Sequence, residues 1–558
     1  MIKMIQSVSS DAKSRTFADG MGYVESHETV TAYTGECVNI PLDDPKWGGA
    51  QLVGKLFTEG LGRGPGADEY LYYMNKIEET GCTLETLRAL VGEFFTSEAF
   101  LSLKLAPAYE VVAVYRAILN RDPTLAEVED YAVRVSAEKA AGIAISLLQK
   151  EEFAALLPDI IRGPYFWGTN NASYSPSGRI ITSEELNRML ADAAGGVVAL
   201  EPGTLVLMDS GVVIPAGVTL TTKGNPTHYS MQARILRTRN NNQTMVKASA
   251  DSTVSHIWVD GNRPAFAGEE LLRGHNLVLA GDRAKAMYCR TNGTLSGTHL
   301  VGSDSMRGLY IAHNLVTCYE TDHKTAWADG ITHASTDSII EKNTVVDATD
   351  VSIIVFRFVS KDHSQPQTTV VRNNLVMNLG NSAFAGLDID SWLEQGATQN
   401  FRGTLFENNA IWTSWKAHQH ICLSLAPLAW TNVIGDHAVG SAYINNYTPK
   451  GLRVLCAAAF AADGVHEYVV RGNHLQAYIG AWGRSYDDER LCERLSSVNS
   501  ATADGDLQGA YEDMTTWLPY LAMINPHPDA PFAMTELKGA IFHEDRRSAA
   551  FIEDLMGH

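Results

Sequence analysis

Three aspartates, Asp329, Asp350 and Asp388, sit beside short β-branched or apolar runs in the stretches WADGI, DATDV and GLDID. Two carboxyls held close together are the minimum equipment for acid–base cleavage of a glycosidic bond. One keeps its proton because its neighbour's charge raises its pKa. The other activates water or attacks directly. Gly330-Ile331 and Ser352-Ile353 begin equivalent strands 22 residues apart, and the same step back reaches Gly308-Leu309. Such a period of short strands, turned by Asn and Gly, predicts thin coils that must stack to bury an apolar face. Stacked strands lie about 4.8 Å apart, which brings Asp329 and Asp350 together. With Leu387 and Ile389 inward, Asp388 and Asp390 project outward on the next coil. Strict alternation from Ile331 turns Asp329 inward, so its exposure requires a kink before Gly330. The expectation is one outward strip on which Asp329, Asp350 and Asp388 serve one sugar unit.

Further polar residues lie near this strip: Tyr310, His323, Lys324, His333, Arg357, Lys361, His363 and Trp392. The expected substrate contacts are Tyr310, His323, Lys324, Arg357, Asp390 and Trp392. Tyr and Trp stack on sugar rings, and Arg357 holds an acidic sugar. Lys324, Arg357, Lys361 and Tyr310 equally suit β-elimination, which needs a base for the proton alpha to a carboxylate and a cation to neutralise that carboxylate. His418 and His420 share one strand face, but no third ligand accompanies them. No metal and no cofactor is assigned. No Walker loop, Rossmann fingerprint or Ser-His-Asp elbow is found.

The elements that must position these groups follow a sharp change of pattern near Thr182. Residues 182–480 read as stacked coils. They open with a helix, Thr182 or Ser183 its N-cap and Leu186, Met189, Leu190 and Ala193 its apolar stripe, which Gly195-Gly196 stops. Strands with Pro-Gly turns follow. Later coils carry Asn pairs at their corners, Asn373-Asn374, Asn408-Asn409 and Asn445-Asn446, with Asn473 beyond. Asn tolerates left-handed backbone and stacks in hydrogen-bonded ladders. Residues 1–48 read as an irregular lead-in, 49–155 as a separate helical unit, 156–181 as a linker and 481–558 as a partly helical tail. Within the helical unit, Leu52–Ile77 and Val111–Val135 repeat one design, a helix ending at an Arg-x-Pro turn (Arg63, Pro65; Arg121, Pro123) with a second helix after it.

The helix followed by GG-strand-PG-strand and IPAGVTL resembles the entry of pectin-lyase-like right-handed parallel β-helices. WADGI followed by DATDV resembles the polygalacturonase-type glycosidases of that superfamily, in which an N-T-D-G strand start precedes a D-D pair by one coil. Val351 stands where the second Asp of that pair falls, and no Gly-His-Gly or Arg-Ile-Lys motif follows. The resemblance implies an all-β main domain and a polysaccharide substrate. The helical repeat, with LGRGP at Leu61–Pro65 and the closing segments TSEAF and QKEEF, resembles a bacterial helical family like phycobilisome linker domains, which implies bacterial origin and attachment or export. Three functions stay open: a glycoside hydrolase, a polysaccharide lyase or uronate epimerase, and a non-catalytic carbohydrate-binding or surface protein.

Composition bounds the partners. A net charge of −20 and a pI near 5.3 argue against nucleic acid and anionic membranes. No apolar run approaches 18 residues, so no membrane insertion is expected, and no secretory signal is visible at the N-terminus. An extracellular or surface location is the expectation from the helical resemblance, with a cytoplasmic one left open. The seven cysteines are scattered without CxxC spacing, which favours buried free thiols. Oligomeric state is not legible.

Overall fold

The computed structural model describes residues 43–163, 174–321, 328–358, 366–381, 383–392, 399–417, 419–425, 438–462, 465–466, 469–471, 473, 475, 477–478 and 543–544. From Val212 the chain repeats one circuit around three faces. A strand on face 1 is followed by one on face 2, one on face 3, and a return to face 1. Gly297–Gly302, Tyr310–Ala312, Leu315–Thr317 and Ala328–His333 trace one such turn. Among the described residues the three faces are sheets of ten, eleven and nine strands. Among the described residues every pair of strands on successive coils is parallel; His543–Glu544 adds antiparallel to Val469–Arg471 on face 2, and an isolated antiparallel bridge joins Thr413 to Arg453. The fold is a right-handed parallel β-helix, the hand that parallel crossovers take.

Five face-1 strands matter below: β1 (Gly297–Gly302), β2 (Ala328–His333), β3 (Val351–Phe358), β4 (Ala383–Trp392) and β5 (Gln419–Leu425). Ile331 pairs with Ile353, 22 residues on, and Ile353 pairs with Leu387. Gly330, Ser352 and Gly386 therefore stack. The step back from Ile331, however, lands on Leu300, 31 residues earlier. Leu309 and Tyr310 belong to face 2, where Tyr310 pairs with Ile339. The 22-residue period is thus a single coil, and its extension to Gly308-Leu309 is corrected: turn lengths vary from coil to coil.

Inside, Leu300, Ile331, Ile353, Leu387 and Leu423 form one apolar column of a continuous core. At the corner between faces 2 and 3, Asn373, Asn408 and Asn445 take left-handed backbone with φ of 54°. The second Asn of each pair turns inward. Asn314, Asn343, Asn374, Asn409, Asn446 and Asn473 form a ladder, each donating Nδ2–H to the next Oδ1 at 2.8–3.0 Å. Each Oδ1 also accepts the backbone N–H of the Asn before it. Asn374→Ala strips a partner from the buried N–H of Asn343 and from the carbonyl of Ile340. Each unpaired group costs about 1–3 kcal/mol, so urea unfolding should show a loss of at least roughly 2 kcal/mol.

The first coil is closed by the helix Ser183–Asp192, capped by Thr182, whose Oγ1 accepts from Glu185 N. Leu186 and Leu190 are fully buried on the core. Asn187 of this helix meets the open edge of face 1, donating to Gly211 O and accepting from Val213 N. A side chain thus pairs with an edge that would otherwise invite another strand.

The helical region does not stand apart. Helices Ala50–Lys55, Ala67–Thr80, Leu84–Thr96, Pro107–Leu119, Leu125–Leu147 and Glu151–Arg162 lie on the outer surface of face 3. Their core is continuous with Tyr229, Trp258, Tyr319, Met377, Leu379 and Trp412 of the β-helix. The last helix runs to Arg162 and Ile180–Thr182 is already a strand, so both ends of the expected 156–181 linker are ordered structure. The repeat is visible in three dimensions. Gly62 and Asn120 end their helices in left-handed conformation, and Arg63 and Arg121 fork onto Glu69 and Glu127 at the start of the next helix.

Charges are buried between the layers. Glu59 accepts from Arg290 at 2.5 Å and from Arg116 at 3.4 Å, and Arg116 also reaches Asp122 at 3.0 Å and Glu320 at 3.3 Å. Arg234 joins Asp122 to Asp260. Burial alone would raise the Glu59 pKa, but Arg290 and Arg116 override it and bring it down to about 2. Among the described residues no helix is long and apolar enough to cross a membrane. The tail 481–558, apart from His543–Glu544, and residues 1–42 lie outside the described residues.

Candidate functional site

The outward turn of Asp329 comes from a lapse in the ladder. β1 pairs with β2 at Thr298 and Asp329, β3 with β4 at Val351 and Ala385, and all four strands are in register from Leu300 and Ile331, but the Gly330–Ser352–Gly386 level is unpaired and β2 does not pair with β3 before Ile331. A Cβ on Gly330 would lie 2.4 Å from the core atom Cγ1 of Val345. Gly330 therefore faces inward directly before inward Ile331, and Asp329 is left outside beside Thr332. The kink the sequence demanded is present, at the glycine itself.

Three donors hold the Asp329 carboxylate. Thr332 Oγ1 donates to Oδ2 at 2.6 Å, Thr298 Oγ1 to the same oxygen at 3.3 Å, and Val351 N to Oδ1 at 3.1 Å. Beneath it, His299 Nδ1 bonds the Asp329 carbonyl at 2.8 Å, while Thr294 N–H donates to Nε2. Nδ1 therefore carries the proton, and burial lowers the imidazole pKa to about 4. Asp329 lies level with Val351, and Asp350 one step before it, on strands about 4.8 Å apart. The Asp350 carbonyl accepts from Phe384 N at 2.7 Å, but no donor reaches its carboxyl among the described residues. Both aspartates are half-buried.

The electrostatics separate the two. Burial pushes the Asp350 carboxyl well above the usual range, and the Asp329 charge pushes it further. Burial also raises Asp329, against the pull of Thr332, Val351 N–H, Thr298 and the Arg273 charge. Like charges this close share one proton. Among the described residues three donors reach the Asp329 carboxylate and none reaches that of Asp350, an asymmetry that favours the proton on Asp350.

Asp388 does not join them. It is on the outer side of face 1, paired with Ile354 and Ser424, and is fully buried. Its level is three residues beyond that of Asp329, roughly 10 Å further along the strands at about 3.3 Å per residue. The strand starts stack, but the acids stand at different offsets: one before Gly330, two before Ser352, two after Gly386. The single strip of three acids is corrected to a pair. Tyr310 is on face 2, where its hydroxyl donates to Glu341 at 2.6 Å. Arg357 lies six residues along β3 from Val351 and donates to Asn400 O at 3.0 Å. Neither lies beside the pair. His323, Lys324, Lys361, His363 and His418 lie outside the described residues, as do the side chains of Asp390, Trp392 and His420. Thr298, Thr332 and His299 were not singled out in the sequence. Thr332, three residues after Asp329, was the readable signal once a kink was required. Among the described residues no group of three or more His, Cys, Asp or Glu could hold a metal.

His333 faces inward and is fully buried, and burial lowers its pKa to about 3. The unfolded chain binds a proton near pH 6.5 that the folded chain refuses, so this contribution to stability is lost as pH falls below 6.5. Between pH 7 and pH 5 it amounts to about 2 kcal/mol at about 1.4 kcal/mol per pH unit. His333→Leu should therefore lose less stability over that interval than the wild type, by about that amount, in parallel denaturant titrations.

The family model described as disaggregatase related matches residues 291–426, the stretch that holds Asp329, Asp350 and Asp388. No curated protein matches the chain. Among solved structures, the chain is similar to a tailspike of the Acinetobacter baumannii bacteriophage Fri1, a capsular polysaccharide depolymerase, at 11% identity and a TM-score of 0.31. That match covers 54% of this chain and 62% of the tailspike chain, less than two thirds of its length. The catalytic unit of an alpha-1,3-glucanase from Streptomyces thermodiastaticus matches at 11% identity over 56% of this chain and 67% of its own, with a TM-score of 0.30. Pectate lyase Pel9A matches at 12% over 54% and 77%, with a TM-score of 0.25.

Proposed function

We propose that the chain cleaves a polysaccharide by hydrolysis, with Asp350 as general acid and Asp329 as the ionised partner. The observation that carries this reading is the Asp329–Asp350 pair itself: two carboxyls on adjacent strands, one clamped by three donors and one held protonated by burial and its neighbour's charge. Asp350 donates its proton to the leaving glycosidic oxygen. Asp329 either activates water or attacks the anomeric carbon, and its hydrogen bonds keep it anionic for either task. Asp388, fully buried on the same face, supports the shape of the sheet rather than the chemistry. An elimination needs a base and a cation together at one sugar, and two of its candidates, Tyr310 and Arg357, are dispersed to face 2 and the far end of β3. The substrate is approached from outside the cell, by the resemblance of the helical region to surface-protein modules.

A panel of polysaccharides incubated with the protein tests this. The expected result is new reducing ends without absorbance from unsaturated uronates. Reducing ends with that absorbance would replace hydrolysis by elimination, and binding without new ends would leave a carbohydrate-binding protein.

A further inference from the structure

The turn Asp347-Ala348-Thr349-Asp350 carries the chain from face 3 to β3 and ends in the acid. Asp347 is fully buried, with left-handed backbone at φ of 59°. Its Oδ1 accepts from Leu379 N, Gly380 N at 3.0 Å and Asn381 N at 3.2 Å, the corresponding turn one coil on. Its Oδ2 accepts from Gln51 Nε2 at 2.7 Å. Gln51 belongs to the helical layer, is buried, and is 296 residues away in sequence. The same turn grips the strand of the other acid. Thr349 Oγ1 accepts from Ala328 N at 3.0 Å, and Thr349 N and Asp350 N both donate to Ala328 O. Ala328 immediately precedes Asp329.

Hydrogen bonds thus tie the helical layer to Asp347, and two residues further along the same turn they tie Thr349 and Asp350 to Ala328, the backbone that spaces Asp329 and Asp350. The helix is fitted to it closely. A Cβ on Gly54 would meet Leu379 Cδ1 at 2.2 Å, and one on Gly380 would meet Gln51 Nε2 at 2.5 Å. Buried polar paths of this kind stay in one geometry because a half-satisfied alternative is costly.

We propose that Gln51 and Asp347 are positioning residues through which the helical layer sets the spacing of Asp329 and Asp350. The helical layer is then part of the site's machinery rather than an appended attachment module. This rests on the reading of the pair as the acid–base centre. Removing the Gln51 amide frees Asp347 to shift, the turn relaxes, Asp350 gains water, and its proton affinity drops. Among the described residues, the charged group acting on Asp350 is Asp329 on the neighbouring strand, itself acted on by Arg273. A change at Gln51 touches neither of these directly; it acts on Asp347, whose pKa burial raises and the Gln51 hydrogen bond lowers.

The test uses the full chain. The infrared carbonyl band of the protonated Asp350 carboxyl is assigned by subtracting the spectrum of Asp350→Asn and titrated against pH. In Gln51→Met the midpoint should fall by at least about one pH unit, a tenfold loss of proton affinity, with the fold intact by circular dichroism. A folded Gln51→Met with an unmoved midpoint overturns the proposal. If Gln51→Met does not fold, Gly380→Ala, whose new methyl displaces the Gln51 amide from the other side, carries the same test and the same two outcomes. Absence of any such band in the wild type contradicts the protonated pair itself, so failure of the relay and failure of the acid–base reading are told apart.

Discussion

Asp350→Asn and Asp329→Asn should each lower the cleavage rate by roughly 10²–10⁴-fold, the usual worth of a general acid or base. Asn keeps the volume and fills turns as well as Asp, so the loss should not come from unfolding. The stability of the two variants separates these causes further. A carboxyl whose folded pKa is raised binds a proton that the unfolded chain releases. Its contribution therefore declines as pH rises above 3.8 toward the folded value. Asp350→Asn removes that cost, and its melting temperature at pH 7 to 8 should equal or exceed that of the wild type. An inactive but equally stable Asp350→Asn is the expected pattern. Full activity in both variants would reduce the pair to turn caps.

Glu59→Ala should be the most destabilising single change between the layers. Glu59 is fully buried and bonded to both Arg290 and Arg116, themselves 1% and 3% exposed at the side chain. Removing it leaves two buried guanidinium groups short of an anion, and breaking a buried pair from one side costs about 3–5 kcal/mol. Because the helices and the outer surface of face 3 share one core, the wild type and the variant should each unfold in a single calorimetric transition. Two resolved transitions would show that the layers are independent.

The β-helix was legible because its signals are local. Short apolar strands and Asn corners recur, and both halves of the Asn reading are found in one place: left-handed Asn373, Asn408 and Asn445, laddered Asn374, Asn409 and Asn446. Coil length was not legible, since a turn of any length returns the chain to the same face. The step that worked from Gly330 to Ser352 failed from Gly330 to Gly308, and it took Tyr310 with it. Among the acids, Asp329 and Asp350 fall on adjacent strands at neighbouring levels, whereas Asp388 stands three levels beyond Asp329, an offset that the stacking of strand starts does not reveal. The helical layer's place was hidden for a different reason. Arg234, Trp258 and Arg290 are outward residues of their strands, and alternation alone marks outward residues as solvent-facing. Only the cover supplied by Glu59, Arg116 and Asp122 makes their burial affordable in energy. Asp347 was overlooked in DATD because an Asp in a turn is ordinary; its partner Gln51 lies in another layer.

Hydrolysis by the Asp329–Asp350 pair places an oxygen atom from water on the product. Digestion in water enriched in oxygen-18, read by mass spectrometry of the products, tests it most directly. One heavy oxygen is expected at each newly formed reducing end with the wild-type protein, and no product above background with Asp350→Asn. Unsaturated products free of the label, or labelled products formed equally well by Asp350→Asn, would contradict it.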